Sequence, residues 1–258
     1  FPTRRYRLAG KIARKINLSP FLLLAWPAQA ETVPEIVVVA SQLREAEITA
    51  VPASLAVLDP GAIAAGSVQH FEDLAPLVPN LNWSGEGSRA RYFQIRGTGE
   101  LEQYEGAPNP SVGFIVDDID LSGIGGAATS FDVDRIEVLR GPQGTRYGAN
   151  ALAGLIYVRT ADPAAAPAAE VTATAGDDGT WALGGVASGP VAGAGEALTY
   201  RVAVQRYASD GFRDNVFLGR DDTSAQDELT ARLKLRWAGA AATVQLTALH
   251  VDLDNGYD

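Results

Sequence analysis

Asp134-Arg135-Ile136-Glu137-Val138-Leu139-Arg140-Gly141-Pro142-Gln143-Gly144-Thr145-Arg146-Tyr147-Gly148 is followed, five residues on, by Gly154-Leu155-Ile156-Tyr157-Val158-Arg159-Thr160. Two apolar, β-branched runs stand on either side of a glycine-rich bend, and residues 136–139 and 155–159 read as strands. The bend has the glycines of a phosphate loop. It lacks the G-K-[ST] ending that would bring a lysine and a hydroxyl to phosphate and magnesium, so it is read as tight backbone geometry and a nucleotide site is rejected. Working outward, residues 54–58, 93–96 and 112–116 add three short strands. Asp59-Pro60 is a good N-cap with proline in the first helical turn. Residues 67–78 read as a second short helix, with Val68, Phe71, Leu74 and Ala75 on one face and Pro76 limiting its length. Residues 51–163 thus form one compact mixed α/β unit.

After Asp162 the pattern changes. Pro163-Ala164-Ala165-Ala166-Pro167 is linker-like, and the rest of the chain alternates. Leu229, Ala231, Leu233, Leu235 and Trp237 share one side of a strand, with Thr230, Arg232, Lys234 and Arg236 on the other. Tyr200, Val202 and Val204 oppose Arg201 and Gln205 in the same way, and Val244, Leu246 and Ala248 oppose Thr243, Gln245 and Thr247. Five strands are expected, over residues 169–176, 180–188, 197–208, 227–238 and 242–252. A soluble sandwich turns such apolar faces inward, whereas an outer-membrane barrel turns them outward to lipid. The connections at 191–196 and 239–241 are short and the one at 209–226 is long and polar, which favours the barrel. Tyr200 and Trp237 fall beside the short-turn rim on the apolar face, where an aromatic girdle belongs; Tyr207 has the opposite parity and points inward.

The other end of the chain reads as an address. Residues 1–30 hold Arg4, Arg5, Arg7, Lys11, Arg14 and Lys15 and no acid, then an apolar stretch over 18–26, then Pro27-Ala28-Gln29-Ala30. A positive start, a short apolar middle and a small-x-small end describe a secretory signal peptide; the middle is too short for a spanning helix of about 20 residues. Formal net charge is -10, and taking those six cations from the total of 21 leaves 15 against 31 acids. So acidic a body is a poor match for nucleic-acid phosphate, and no nucleic-acid partner is expected. Phe1 stands where an initiator methionine is expected, so the reading frame is expected to be incomplete. Ile36-Val37-Val38-Val39, just after Pro34, reads either as a first strand or as an extended segment that adds itself to another protein's sheet edge.

In this order of parts the chain resembles the TonB-dependent outer-membrane receptors. The likeness is carried by Pro79-Asn80-Leu81 with Phe93-Gln94-Ile95-Arg96-Gly97, by Phe114-Ile115-Val116-Asp117-Asp118-Ile119, and above all by the two stretches quoted first. The resemblance implies an α+β plug domain followed by the first strands of an antiparallel transmembrane β-barrel, incomplete and not closed, where the family's barrel has about 22 strands. It divides the chain into a signal peptide at 1–30, a TonB box and linker at 31–50, a plug at 51–163 and barrel strands at 164–258. It assigns Glu35, Ile36, Val37, Val38, Val39 and Ala40 as the box that meets TonB by strand addition. It matches Arg96 and Arg140 to two plug arginines that pair with glutamates of the barrel wall. Energy-coupled import across the Gram-negative outer membrane follows, for a small nutrient: a ferric siderophore, haem, cobalamin or a carbohydrate. Outer-membrane lipid is the other expected partner. Five strands cannot close a barrel, so the chain is expected to be truncated at its C-terminus.

Residues 84–91 and 100–110, polar and rich in glycine or proline, are the candidate ligand-facing loops, with Arg89, Arg91 and Tyr104 as candidate contacts. Asp117, Asp118 and Asp120 read as turn-capping rather than as a cation site, and no metal or cofactor is expected. Catalysis is not expected: Ser84, Ser88 and Ser111 lack a paired base, and neither a G-x-S-x-G elbow nor H-E-x-x-H is present. His70 and His250 read as structural or exposed. With no cysteine, disulfides and thiolate sites are excluded. The alternative is a secreted soluble β-rich binding protein, its alternating strands forming a sandwich.

Overall fold

A computed structural model describes residues 37–38, 46–47, 54–85, 89–101, 110–125, 128–194 and 197–256. The expected signal peptide, Glu35, Ile36, Val39, Ala40 and Tyr104 lie outside the described residues. Val37–Val38 (β1) pairs antiparallel with Ala46–Glu47 (β2).

The plug is built from Ser54–Leu58 (β3), the helix Pro60–Ala65 (α1), Leu81–Ser84 (β4), Tyr92–Ile95 (β5), Val112–Val116 (β6), Ile119–Asp120 (β7), Val133–Arg140 (β8), the short helix Gly144–Tyr147 (α2) and Gly154–Thr160 (β9). Asp59 caps α1 as its sequence predicts, its carboxylate accepting from Ala62 N at 2.7 Å. A five-stranded sheet runs in the order β3-β8-β9-β6-β7, with β6 and β9 parallel and the other pairs antiparallel. The central strands are apolar on both sides because both sides are covered. Ile136, Val138, Ile156 and Val158 join Phe71, Leu74 and Phe114 in one core, while Leu139, Leu155, Ile115 and Tyr157 form another. Phe114 centres the first, with Phe71 edge-on at 4.8 Å and Phe93 stacked at 5.5 Å.

The helix expected over residues 67–78 is only a single 3-10 turn, Phe71–Leu74. Ser67 has φ 49, His70 is extended, and the Asp73 carboxylate folds back to accept from Gln69 N and His70 N at 3.0 Å each. That local bonding competes with the helical ladder, and Pro76 has no N–H to continue it. The strand expected over 93–96 is β5, one residue earlier; β4, which pairs with it, and β7, neither expected from the sequence, complete the plug.

Beyond the linker come Ala168–Ala175 (β10), Trp181–Pro190 (β11), Leu198–Ser209 (β12), the small hairpin Arg213–Asn215 (β13) and Arg220–Thr223 (β14), then Gln226–Ala238 (β15) and Thr243–Leu253 (β16). The large strands form one antiparallel sheet ordered β10-β11-β12-β15-β16. β12, β15 and β16 have 12, 13 and 11 residues, enough for a tilted strand to cross a hydrocarbon layer, which takes about 9–11. Among the described residues no helix is long and apolar enough to do so. The two faces settle the choice between sandwich and barrel. Thr199, Ala203, Gln205, Glu228, Thr230, Arg232 and Lys234 are buried against the plug, whereas Val202, Val204, Leu229, Trp237, Val244 and Leu246 are exposed on the outside. Polar-in, apolar-out is the arrangement of a membrane barrel.

Candidate functional site

The plug meets the wall of large strands through three groups of buried charge, each in reach of an inward-facing residue of β15. Glu228, Arg232 and Lys234 have even parity and therefore share one side of that strand.

At Lys234, 1% exposed, the ammonium donates to Asp117 Oδ1 at 3.0 Å and to the carbonyl of Thr160 at 2.9 Å, with Asp162 Oδ1 at 3.6 Å. Asp117 and Asp118, with φ 47 and 69, form the two-residue turn between β6 and β7, a conformation that Asp tolerates better than most residues. The turn is further tied to β9: Thr160 donates to the Asp117 carboxylate from both its amide and its hydroxyl. Burial works against ionisation of Asp162, but the hydrogen bond from Arg159 and the charges of Arg159 and Lys234 outweigh it and hold that carboxyl below its usual range.

Asp132, just before β8 and at φ 59, accepts from two wall arginines. Arg201 of β12 reaches both carboxylate oxygens, its Nε lying 2.9 Å from Oδ2; Arg232 donates to Oδ2 at 3.1 Å and to the carbonyls of Phe131 and Asp132 at 3.0 and 2.9 Å. At the third group the polarity reverses. Glu228, 1% exposed, accepts from Arg89 at 2.6 and 2.7 Å, from Asn255 at 2.9 Å, and lies 2.9 Å from His70 Nε2. Arg89 also donates to Ala128 O, and its Nε lies 3.1 Å from Glu72. Tyr207, pointing inward as its parity requires, packs edge-on against His70 at 4.9 Å. A cavity of about 1100 Å³ opens between plug and wall, with Trp83, Phe131, Thr172, Gln205 and Phe212 among its lining.

The residues singled out in the sequence are distributed differently. Arg89 is not at a free apex but buried on Glu228. Arg91 is exposed, its guanidinium 5.7 Å from the Tyr92 ring centre. Arg96 and Arg140 come together on either side of Ser54, which pairs with Arg140 in the β3–β8 register and accepts from Arg96 at 3.2 Å. Arg140 donates to the carbonyls of Pro79 and Leu55 at 3.4 Å each, and neither arginine meets a carboxylate among the described residues. Asp118 accepts from Tyr157, and Asp120 accepts from Ser122 and Asn150, so the three turn aspartates point to different partners. Ser84 and Ser111 donate their hydroxyls to Glu100, and His250 is exposed on β16. What the sequence reading missed is the set Asp117, Asp132, Arg201, Glu228, Arg232 and Lys234 as plug-to-wall contacts. The available signal was the inward parity of the wall cations; their partners lie about a hundred residues away in sequence.

Residues 47–155 match the family model described as TonB-dependent Receptor Plug Domain. That stretch is a plug domain of the TonB-dependent receptor kind. Among curated proteins, the chain is 27% identical over 223 residues to the pesticin receptor of Yersinia pestis, covering 84% of this chain and 32% of that protein. It is 31% identical over 128 residues to the vitamin B12 transporter BtuB of Photobacterium profundum, covering 49% of this chain and 20% of the transporter. The chain therefore spans a third or less of the length of these relatives. Among solved structures, the ferric yersiniabactin uptake receptor FyuA of Yersinia pestis superposes with a TM-score of 0.67 at 25% identity, over 77% of this chain and 31% of its own. The pyoverdine outer membrane receptor FpvA of Pseudomonas aeruginosa superposes at 0.69 with 17% identity, over 85% of this chain and 30% of its own, a likeness of fold.

Proposed function

We propose that the chain forms the N-terminal part of an outer-membrane receptor that imports a scarce nutrient by energy-coupled transport. One observation carries this reading: the same strands that turn valine, leucine and tryptophan outward turn arginine, lysine and glutamate inward onto plug residues of opposite charge. A plug held by charge inside a lipid-facing wall is a blocked pore, and moving cargo past it requires a change in those contacts. Residues 1–30 direct export, and residues 35–40 offer TonB an extended apolar segment to pair with. Ferric siderophores are the first cargo class, because a ferric yersiniabactin uptake receptor matches over most of this chain; cobalamin comes second. Arg91 and Tyr104 are retained as ligand contacts, while Arg89 serves plug retention. Arg96 and Arg140 hold the plug against carboxylates supplied by further wall strands.

The receptor is tested in a Gram-negative host stripped of its own siderophore receptors and grown on limiting iron with single ferric siderophores. Growth on at least one, lost both without TonB and on deletion of residues 35–40, is the expected result. Growth that survives loss of TonB refutes energy coupling. Growth on limiting iron rescued by haem but by no ferric siderophore, or cobalamin-dependent growth of a cobalamin auxotroph with no siderophore-dependent growth, refutes the cargo class.

A further inference from the structure

The surroundings of the charged groups at the two ends of β15's inward face differ in how completely they are bonded, and that difference, with the kind of backbone each end engages, assigns the plug a fixed end and a releasable end. At Lys234 every partner belongs to the sheet or to the linker that continues from it. Asp117 directly follows β6, its amide bonded to Val158 O at 3.0 Å; Thr160 ends β9; Asp162 lies in the segment leading to β10. No buried polar side-chain atom of Lys234, Asp117, Thr160 or Asp162 is left without a hydrogen bond among the described residues. At Glu228 the plug contributes irregular backbone instead: Arg89 from the stretch between β4 and β5, and His70 from the extended residue before the 3-10 turn. Around it Glu72 Oε2, Thr129 Oγ1 and Thr230 Oγ1 are buried with no hydrogen-bond partner among the described residues. A saturated buried network rigidifies its surroundings, whereas an incompletely bonded one carries desolvation cost that opening to water relieves.

We infer that Lys234, through Asp117 and Thr160, keeps the β6–β7 turn and the linker on the wall while the plug opens at the Glu228 end. The inference rests on the reading of these strands as the wall around a plug, and not on cargo. Lys234 is on this account a positioning residue, acting on the path the plug takes and touching no ligand.

Amide hydrogen exchange on the detergent-purified receptor, without ligand or TonB, measures the two ends directly. The amides of Gln69, His70 and Asp73 are expected to exchange about tenfold or more faster than those of Asp117, Thr160 and Ala161. Lys234→Met is expected to speed the second set by about tenfold and leave the first unchanged, and Glu228→Gln to do the converse. Equal rates in the wild type, a faster Lys234 end, or a Lys234→Met effect spread over both sets overturns the inference. The wild-type comparison decides even if a variant fails to assemble. In cells, a cleavable bifunctional thiol crosslinker joining Asp117→Cys to Lys234→Cys, a pair set apart by the length of the lost side chains, is expected to leave TonB-dependent uptake intact, whereas the same link from Arg89→Cys to Glu228→Cys blocks it until cleaved. Uptake abolished by the first crosslink refutes the fixed end. If the unmodified receptor shows no TonB-dependent uptake at all, it is the transport reading that falls, and hydrogen exchange still decides this one.

Discussion

Asp132→Asn isolates the value of charge at the plug-to-wall contact, because asparagine keeps the shape of the side chain and tolerates the left-handed backbone, φ 59, that this position adopts. The substitution leaves Arg201 and Arg232 facing an uncharged amide. Removing one partner of a buried ion pair costs about 3–5 kcal/mol. Two features put this case at the lower end. The Arg201 side chain is 17% exposed and partly screened, and Arg232 keeps its bonds to the carbonyls of Phe131 and residue 132. The expected loss is about 3 kcal/mol. Asp132→Ala adds about 1–2 kcal/mol for a left-handed alanine. Adding Arg232→Met to Asp132→Asn should recover part of the loss, because the stranded charge is gone. Pulse proteolysis of the detergent-purified receptor across a urea series measures the fraction of plug that remains folded. An Asp132→Asn plug within about 0.5 kcal/mol of wild type, or one that Arg232→Met destabilises further, would falsify the electrostatic account.

Other consequences are simpler to measure. Val204→Lys puts an ammonium on the outward face near the middle of β12 and should cost about 2–4 kcal/mol of membrane-inserted stability, seen as a weaker heat-modifiable band, while Val204→Leu is neutral. Asp59→Ala removes the cap of α1 and should lower plug stability by about 1 kcal/mol in the same proteolysis assay. Asp162 has its folded-state pKa lowered, so its contribution is complete above the ordinary carboxylate value of about 4 and is lost as pH falls below it. Melting temperatures taken from pH 6 down to 3 should therefore fall more steeply for the wild type than for Asp162→Asn; parallel curves would remove Asp162 from the acid response.

Much of the wall was legible because its period is 2 and one side of each strand is apolar. The expected strand at 227–238 is β15 to within one residue, and Tyr207 points inward as its parity demands. In the plug, Asp59-Pro60 announced α1 because capping is a local interaction. The 67–78 segment is helical in apolar spacing but not in structure, because the Asp73 side chain bonds backward to the amides of Gln69 and His70, a choice that hydrophobic periodicity does not register. The charged contacts were less legible still. Asp117 and Asp132 look like turn residues and are turn residues; that each also takes a wall cation depends on pairings spanning 117 and 69 to 100 residues, which no local pattern encodes. Arg89 stood out as a loop arginine beside glycines, and its burial on Glu228 follows only once β15 is placed across from it.

The charge order along β15 bears on how the plug finds its orientation. From Glu228 to Lys234 is six residues, about 20 Å of strand. Over that length the inward face runs negative, positive, positive, and the plug answers with Arg89, Asp132 and Asp117. Apolar contacts alone discriminate weakly between a plug seated one way and the same plug inverted, since dispersion and burial are not directional. Charges discriminate strongly. Inversion would set Asp117 toward Glu228 and Arg89 toward Lys234, leaving like charges facing each other in sites that are almost fully buried, at several kcal/mol for each uncompensated ion. Buried ion pairs are weak contributors to net stability, yet the cost of mismatching them is large, and that asymmetry is what makes them suited to specifying one arrangement. The mixed polarity of the three contacts is therefore more informative than their number: a wall carrying only cations would hold an acidic plug in either orientation.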